Sequence, residues 1–256
     1  IFTNHYPVEG IKSSGSDMLP IENIKRWLMK GHRVCIITSK AGLWLYRYKG
    51  IIGDSKVSFH VIITLGAKRI GLLLEYIIRT IITSLYSFRI NPNNFDVVIS
   101  CSEWGIFDAL PAVLLKMRSP RIIWVSFIWH LISPPTERVG KTTILNVLPF
   151  ISQRLVLMLI SKWSDLIFTE TKVIKNLLKE RRIRDDKVKI ARGAFDSDYL
   201  SKTPEQRKIY DACFLGRIYP EKGIFDLVKI WKLVCRKKVD AKLVIIGSGP
   251  RIWENK

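Results

Sequence analysis

The residues best suited to chemistry lie toward the carboxyl end of the chain. Phe214-Leu215-Gly216-Arg217 closes a short apolar run, and Pro220-Glu221-Lys222-Gly223 leads into an amphipathic stretch. Arg217 offers a planar fork of donors and Lys222 a point charge, while a helix starting beside them adds the positive end of its dipole. That combination suits a diphosphate. In isolation an Arg and a Lys are surface cations. Their placement at the carboxyl end of a strand, where α/β folds bind ligands, favours a site. Farther on, Gly247-Ser248-Gly249-Pro250 follows an apolar run. A dinucleotide fingerprint would need its third glycine at position 252, where Ile252 stands. The pair Gly247 and Gly249 therefore marks a tight turn, either bringing backbone close to a ligand or serving only to reverse the chain.

Other candidates are weaker. Gly140-Lys141-Thr142-Thr143 matches the end of a P-loop, but Pro135 occupies the place of that loop's first glycine and has no N–H to offer. A helix-opening turn with Thr142 as cap explains the segment better. Glu103 and Asp108 read as ordinary helix-start acids without a catalytic role. The four cysteines, Cys35, Cys101, Cys213 and Cys235, form no C-x-x-C pair, which excludes a disulfide framework and fits a reducing, cytoplasmic setting. The four histidines (His5, His32, His60, His130) never fall at metal-ligand spacing, so no metal is expected.

The elements that must hold these residues follow from composition and periodicity. Of 256 residues, 48% are hydrophobic and 25% charged, which excludes disorder and marks a globular chain. Lys and Arg number 42 against 22 Asp and Glu, a net charge of +20. The basic residues are dispersed, with no basic arm, RGG tract or zinc-finger spacing, so nucleic acid is not the expected partner. The same charge would serve an anionic membrane surface or nucleotide phosphates. Short β-branched runs at 33–38, 57–64, 96–101, 121–129, 165–169, 188–191, 212–215 and 242–246 alternate with helical patterns at 17–30, 70–88, 104–117, 142–163, 171–182 and 224–237. Most of the runs are continuous, as in parallel strands buried on both faces. The alternation predicts a doubly wound α/β architecture. The stretches 39–55 and 131–141 are read as loops. The apolar stretches 70–88 and 144–160 each carry charges that argue against spanning a bilayer; they read as helices packed on the core or lying on a membrane surface. A polar stretch, DSDYLSKTPEQRK, divides the chain into a domain over 1–195, a linker over 196–208 and the start of a second domain over 209–256. The chain is expected to be a fragment, beginning and ending in mid-pattern.

The run YDACFLGRIYPEKGIFDLVKIWKLV, followed by DAKLVIIGSGP, resembles the nucleotide-sugar half of family-four (group 1) glycosyltransferases. SSGSD before a helix, NFDVVISCSEW, RIIWVSFIWH, SDLIFTETKVIKNLL and VKIARGAFDSDYL resemble that family's earlier segments in order. The resemblance implies a GT-B fold of two Rossmann-like doubly wound domains, the second incomplete over these residues. It implies a retaining transfer of sugar from a nucleoside-diphosphate sugar to a glycan or lipid-linked acceptor, without a metal or other cofactor. Arg217 and Lys222 would stabilise the departing diphosphate, and His130 would face the donor sugar, a core or capping histidine being the alternative. Gly15, Gly216, Gly247 and Gly249 would bring backbone to the donor. Two departures stand out: the amino-terminal loop has Ser14-Gly15 in place of two glycines, and the domain crossing reads Arg192-Gly193-Ala194-Phe195-Asp196. The family's paired glutamates would lie after Lys256. The alternatives are a non-catalytic GT-B-like or α/β module binding anionic lipid or nucleic acid, and an epimerase of the same fold. The implied location is cytoplasmic, with peripheral association at the inner membrane face.

Overall fold

The computed structural model describes residues 1–3, 15–63, 71–103, 105–137, 144–192, 204 and 207–249. The chain divides into two compact units, Ile1–Asp196 and Ser197–Lys256.

The first unit is built on seven parallel strands: β1 (Phe2–Thr3), β2 (Val34–Ser39), β3 (Val57–Ile62), β4 (Val97–Ser100), β5 (Ile123–Ile128), β6 (Leu166–Thr169) and β7 (Val188–Ile190). Their order is β3-β2-β1-β4-β5-β6-β7. Register pairs Phe2 with Ile37 on one side and with Ser100 on the other, and Ser100 with Ser126 on β5. The order reverses between β1 and β4, so a crevice is expected beyond the carboxyl ends of β1, β4 and β5. Among the described residues six helices accompany the sheet: α1 (Gly15–Met29), α2 (Lys40–Tyr48), α3 (Leu72–Arg89), α4 (Ile106–Arg118), α5 (Ile144–Trp163) and α6 (Lys172–Glu180).

The core follows from the continuous apolar strands. Trp124, Ile128, Ile160 and Ile167 are wholly buried together, and the Trp124 indole N–H donates to Ser100 Oγ at 3.1 Å. A second cluster packs Ile21 and Ile24 of α1 and Tyr46 of α2 over Ile36. Small hydroxyls stand where strands end: Thr38 Oγ1 donates to the Thr3 carbonyl at 2.7 Å, and the Tyr46 hydroxyl donates to Thr3 Oγ1 at 3.1 Å.

The segment 39–55, expected as a loop, contains α2. Ser39 caps it by accepting from the Gly42 N–H at 3.3 Å, and Leu45 and Tyr46 are buried against the sheet. Nine residues with three aromatic rings carry a weak helical pattern, and the cap and the burial stabilise what propensity alone would not. Strand β1, too short to show a pattern, was not foreseen at all. The P-loop-like Gly140–Thr143 and the crossing 193–196 lie outside the described residues.

The second unit contains β8 (Ala212–Leu215), α7 (Ile224–Lys237) and β9 (Leu243–Ile246). The two strands pair in parallel, Ala212 with Leu243 through Leu215 with Ile246.

Candidate functional site

In the first unit the site grows from the ends of two neighbouring strands. Beyond β4 the chain turns sharply: Ser102 Oγ accepts from the Gly105 N–H at 2.9 Å, closing a turn before α4. A Cβ on Gly105 would stand 2.5 Å from the Phe107 ring, so a larger residue here would have to displace that ring. Glu103 is held within this turn, 5% exposed. The first amide of α4, Ile106 N–H, donates to the Tyr76 hydroxyl of α3 at 3.0 Å. Tyr76 also shares a hydrogen bond with Ser152 of α5, and burial pushes its phenol above the ordinary range. Three helices are thus fastened to one another beside the turn.

Beyond β5 comes His130. Its Nδ1 lies 2.9 Å from Glu103 Oε1, the carboxylate side chain being 7% exposed and the imidazole 63%. The backbone on which His130 stands is clamped by Gln153 of α5, itself buried. Gln153 Nε2 donates to the His130 carbonyl at 2.9 Å, and Gln153 Oε1 accepts from the Ile132 N–H at 2.7 Å. A carboxylate can only accept, so a hydrogen bond across this contact has Nδ1 as its donor and would leave Nε2 as the ring's other polar atom. In the neutral ring Nε2 is an acceptor for a hydroxyl; in the cation it is a donor for an anionic oxygen. The arrangement is an imidazole held at its backbone and at Nδ1, beyond the carboxyl end of a strand.

Glu103, expected as a helix-start acid of no consequence, is instead a buried partner of His130, one turn ahead of the helix. Its signal in the sequence was its place just past a strand's end. Gln153, within the apolar stretch 144–160, is the backbone clamp. Asp108 does lie in the first turn of its helix, buried. Gly15, expected in a loop, begins α1: the helix starts two residues before the predicted Asp17, and a first helical residue tolerates glycine well.

In the second unit β8 runs into Gly216 and Arg217, and the short turn Pro220–Lys222 delivers the chain to α7. Gly223, with φ at +75°, forms the junction in the left-handed region that favours glycine. The guanidinium of Arg217 sits over the Tyr219 ring at 5.5 Å. Arg217 and Lys222 are both exposed, on one connection between a strand's carboxyl end and a helix N-terminus. Gly216 N–H donates to the Ile246 carbonyl, and Ile218 N–H to the Ser248 carbonyl, both at 3.0 Å. A Cβ on Gly247 would lie 1.8 Å from the Gly216 oxygen, and one on Gly249 2.3 Å from the Ile218 oxygen. These glycines therefore let two backbone segments of this unit meet, which brings Gly216, Gly247 and Gly249 together beside Arg217. Among the described residues no cluster of three or more His, Cys, Asp or Glu is gathered as metal ligands would be.

The fold and the first unit's strand order are those of the GT-B class, and the second unit carries the sequence that goes with it. Residues 197–253 match the family of glycosyl transferases group 1. An uncharacterized glycosyltransferase of Methanocaldococcus jannaschii is 24% identical over 171 residues, covering 63% of this chain and 42% of that protein. Crystal structures of Anabaena HepE are similar in fold. The complex with UDP superposes with a TM-score of 0.61 at 11% identity, over 96% of this chain and 62% of HepE. The complex with UDP and glucose gives 0.58 at 10% identity, over 99% and 62%. The chain thus spans less than half of the curated relative and under two thirds of HepE.

Proposed function

We propose that the intact protein moves a sugar from a nucleoside-diphosphate sugar to a glycan or lipid-linked acceptor, with retention of configuration. The observation that carries this reading is the β8–Gly216-Arg217–Pro220–Lys222–α7 connection, which gathers two cations at a helix N-terminus within the residues that match the family. In the reaction the bond from anomeric carbon to diphosphate oxygen breaks, a bond to the acceptor oxygen forms, and the acceptor hydroxyl gives up its proton. Negative charge accumulates on the departing diphosphate as this happens. Arg217 and Lys222 stabilise that charge as it develops, the role a metal ion plays elsewhere, and no metal is assigned a step. His130, with Nε2 as its working atom, is assigned to the donor sugar. Gly15 and the glycine pair 247 and 249 remain candidate points of backbone approach to the donor. HepE holds UDP and glucose in its crystals, which makes uridine the first donor base to try. The reading places the protein in the cytoplasm, at the inner membrane face.

The test is a donor screen on the full-length protein, by calorimetry with UDP-sugars and by transfer of radiolabelled sugar to lipid-extract and glycan acceptors. Arg217→Ala is expected to lower kcat by roughly 100-fold or more. Transfer that survives this substitution undiminished overturns the assignment.

A further inference from the structure

Helix α3 is built inside out. The side chains it turns toward the protein include Glu75, Arg79, Thr83 and Ser87, all buried. Arg79 Nη2 donates to Glu75 Oε1 at 2.7 Å, and both side chains are about as hidden as a core leucine (6% and 4% exposed). Thr83 Oγ1 donates to the Arg79 carbonyl and Ser87 Oγ to the Ser84 carbonyl, so both of these inward hydroxyls are satisfied within the helix. Leu74, Ile77, Ile81, Leu85 and Phe88 point outward, from 45% to 62% exposed. From residue 73 to 88 every fully exposed position of α3 is apolar. Helix α4 packs against both α3 and α5, and α5 repeats the pattern with exposed Ile151, Leu155 and Met158.

The exposed charges on these three helices are of one sign. Their only acids, Glu75 and Asp108, are buried, whereas Arg89, Arg118, Arg154 and Lys162 are exposed. Three of the four cations lie over rings: Arg118 over Phe88 at 5.6 Å, Arg154 over Phe150 at 5.1 Å and Lys162 over Trp163 at 5.3 Å. A helix face whose exposed positions are this consistently apolar marks an interaction site. Long cations that lay their stems on aromatic rings at its rim suit the boundary between acyl chains and headgroups. A second copy of this chain would set arginine against arginine across a two-fold contact, whereas an anionic bilayer complements both the apolar face and its charge. No described helix is long and apolar enough to cross a membrane, so the face would lie on the bilayer.

We infer that the outward face of α3 and α5, with Met117 at the end of α4, docks on an anionic lipid surface, with α3 as the inserted edge. Docking is independent of the transfer chemistry, and it is tested without it. The intact protein is floated with phosphatidylcholine vesicles containing about 30 mol% phosphatidylglycerol and with vesicles of phosphatidylcholine alone. Co-flotation is expected with the anionic vesicles, weakened by high salt. The double substitution Ile77→Glu, Ile81→Glu should reduce the bound fraction by about tenfold. These positions are exposed, so the fold, checked by circular dichroism, and UDP-sugar affinity should both persist. Failure of the intact protein to float with anionic vesicles at low salt overturns the inference, and so does flotation unaffected by the double substitution. Self-association that the substitution abolishes, without any vesicle binding, assigns the face to a second copy and overturns it as well.

Discussion

Glu103 and His130 illustrate how a residue's role is decided by what stands opposite it. Both follow strands that are adjacent in the sheet, and the 2.9 Å contact between them fixes the imidazole by its Nδ1 edge. Replacing Glu103 by Gln keeps the shape but lets the ring adopt the other tautomer. For the proposed transfer by the intact protein, Glu103→Gln is expected to lower kcat about tenfold or more with little change in KM, the pattern of a lost transition-state interaction. The nitrogen chemical shifts of His130, identified by comparison with His130→Gln, should show the Nδ1-protonated form giving way to a mixture. An unchanged tautomer would remove Glu103 from the positioning role whatever the activity did. Gly247 makes the second case at this scale. With the Gly216 oxygen 1.8 Å from where a Cβ would stand, Gly247→Ala must push β8 and β9 apart at their carboxyl ends. A loss of about 1–3 kcal/mol is expected, read from denaturant unfolding monitored in the second unit.

At the scale of elements, the strand–helix units are held by their ends as much as by their faces. Asp211, just before β8, accepts from Lys238 Nζ at 2.5 Å and from the Lys242 N–H at 2.8 Å. One carboxylate therefore ties the start of β8 to the end of α7 and the entry to β9. The Lys238 hydrogen bond first, and the Lys242 amide next, hold the Asp211 carboxyl below its usual range. Because the folded value is the depressed one, the stabilisation is complete above the ordinary carboxylate range and is lost as pH falls through the folded value. The amides of β8 and β9 are expected to lose exchange protection on acidification below about pH 4, and Asp211→Asn should flatten that dependence. Equal pH sensitivity in wild type and variant would show that another group controls it. These elements were largely legible beforehand: α7 and β8 have the predicted bounds, because an amphipathic 14-residue helix carries a clear period and the short apolar run Ala212–Leu215 stops at Gly216. Helix α2 was not, since its short pattern becomes helical only when Leu45 and Tyr46 find the sheet.

Across the whole molecule the two units differ in how much core they own. The first encloses Trp124, Ile128, Ile160 and Ile167 completely, while Ile224 is the buried residue of α7 and the strands of the second unit are half-buried at best. Local stability follows buried apolar contact, so opening in the 256-residue chain should be far easier in the second unit. Hydrogen exchange is expected to proceed at least roughly 100-fold faster in β8 and β9 than in β4 and β5. Comparable protection in both units would mean that the second is stabilised by something other than its own core.

The sequence by itself determined the class of fold, the positions of most strands and helices, and the Gly-Arg…Pro-Glu-Lys-Gly connection, because these depend on local periodicity and on residues close together in the chain. It also specified that Arg217 and Lys222 share one turn. Only the tertiary structure decided which distant residues meet. The partnership of Glu103 with His130, the clamp of Gln153 and the inverted face of α3 all depend on strand order and helix rotation. Burial assigns such roles: an acid, an amide or a leucine has the same letter in the sequence whether it faces water, a neighbour or a membrane, and only packing settles which.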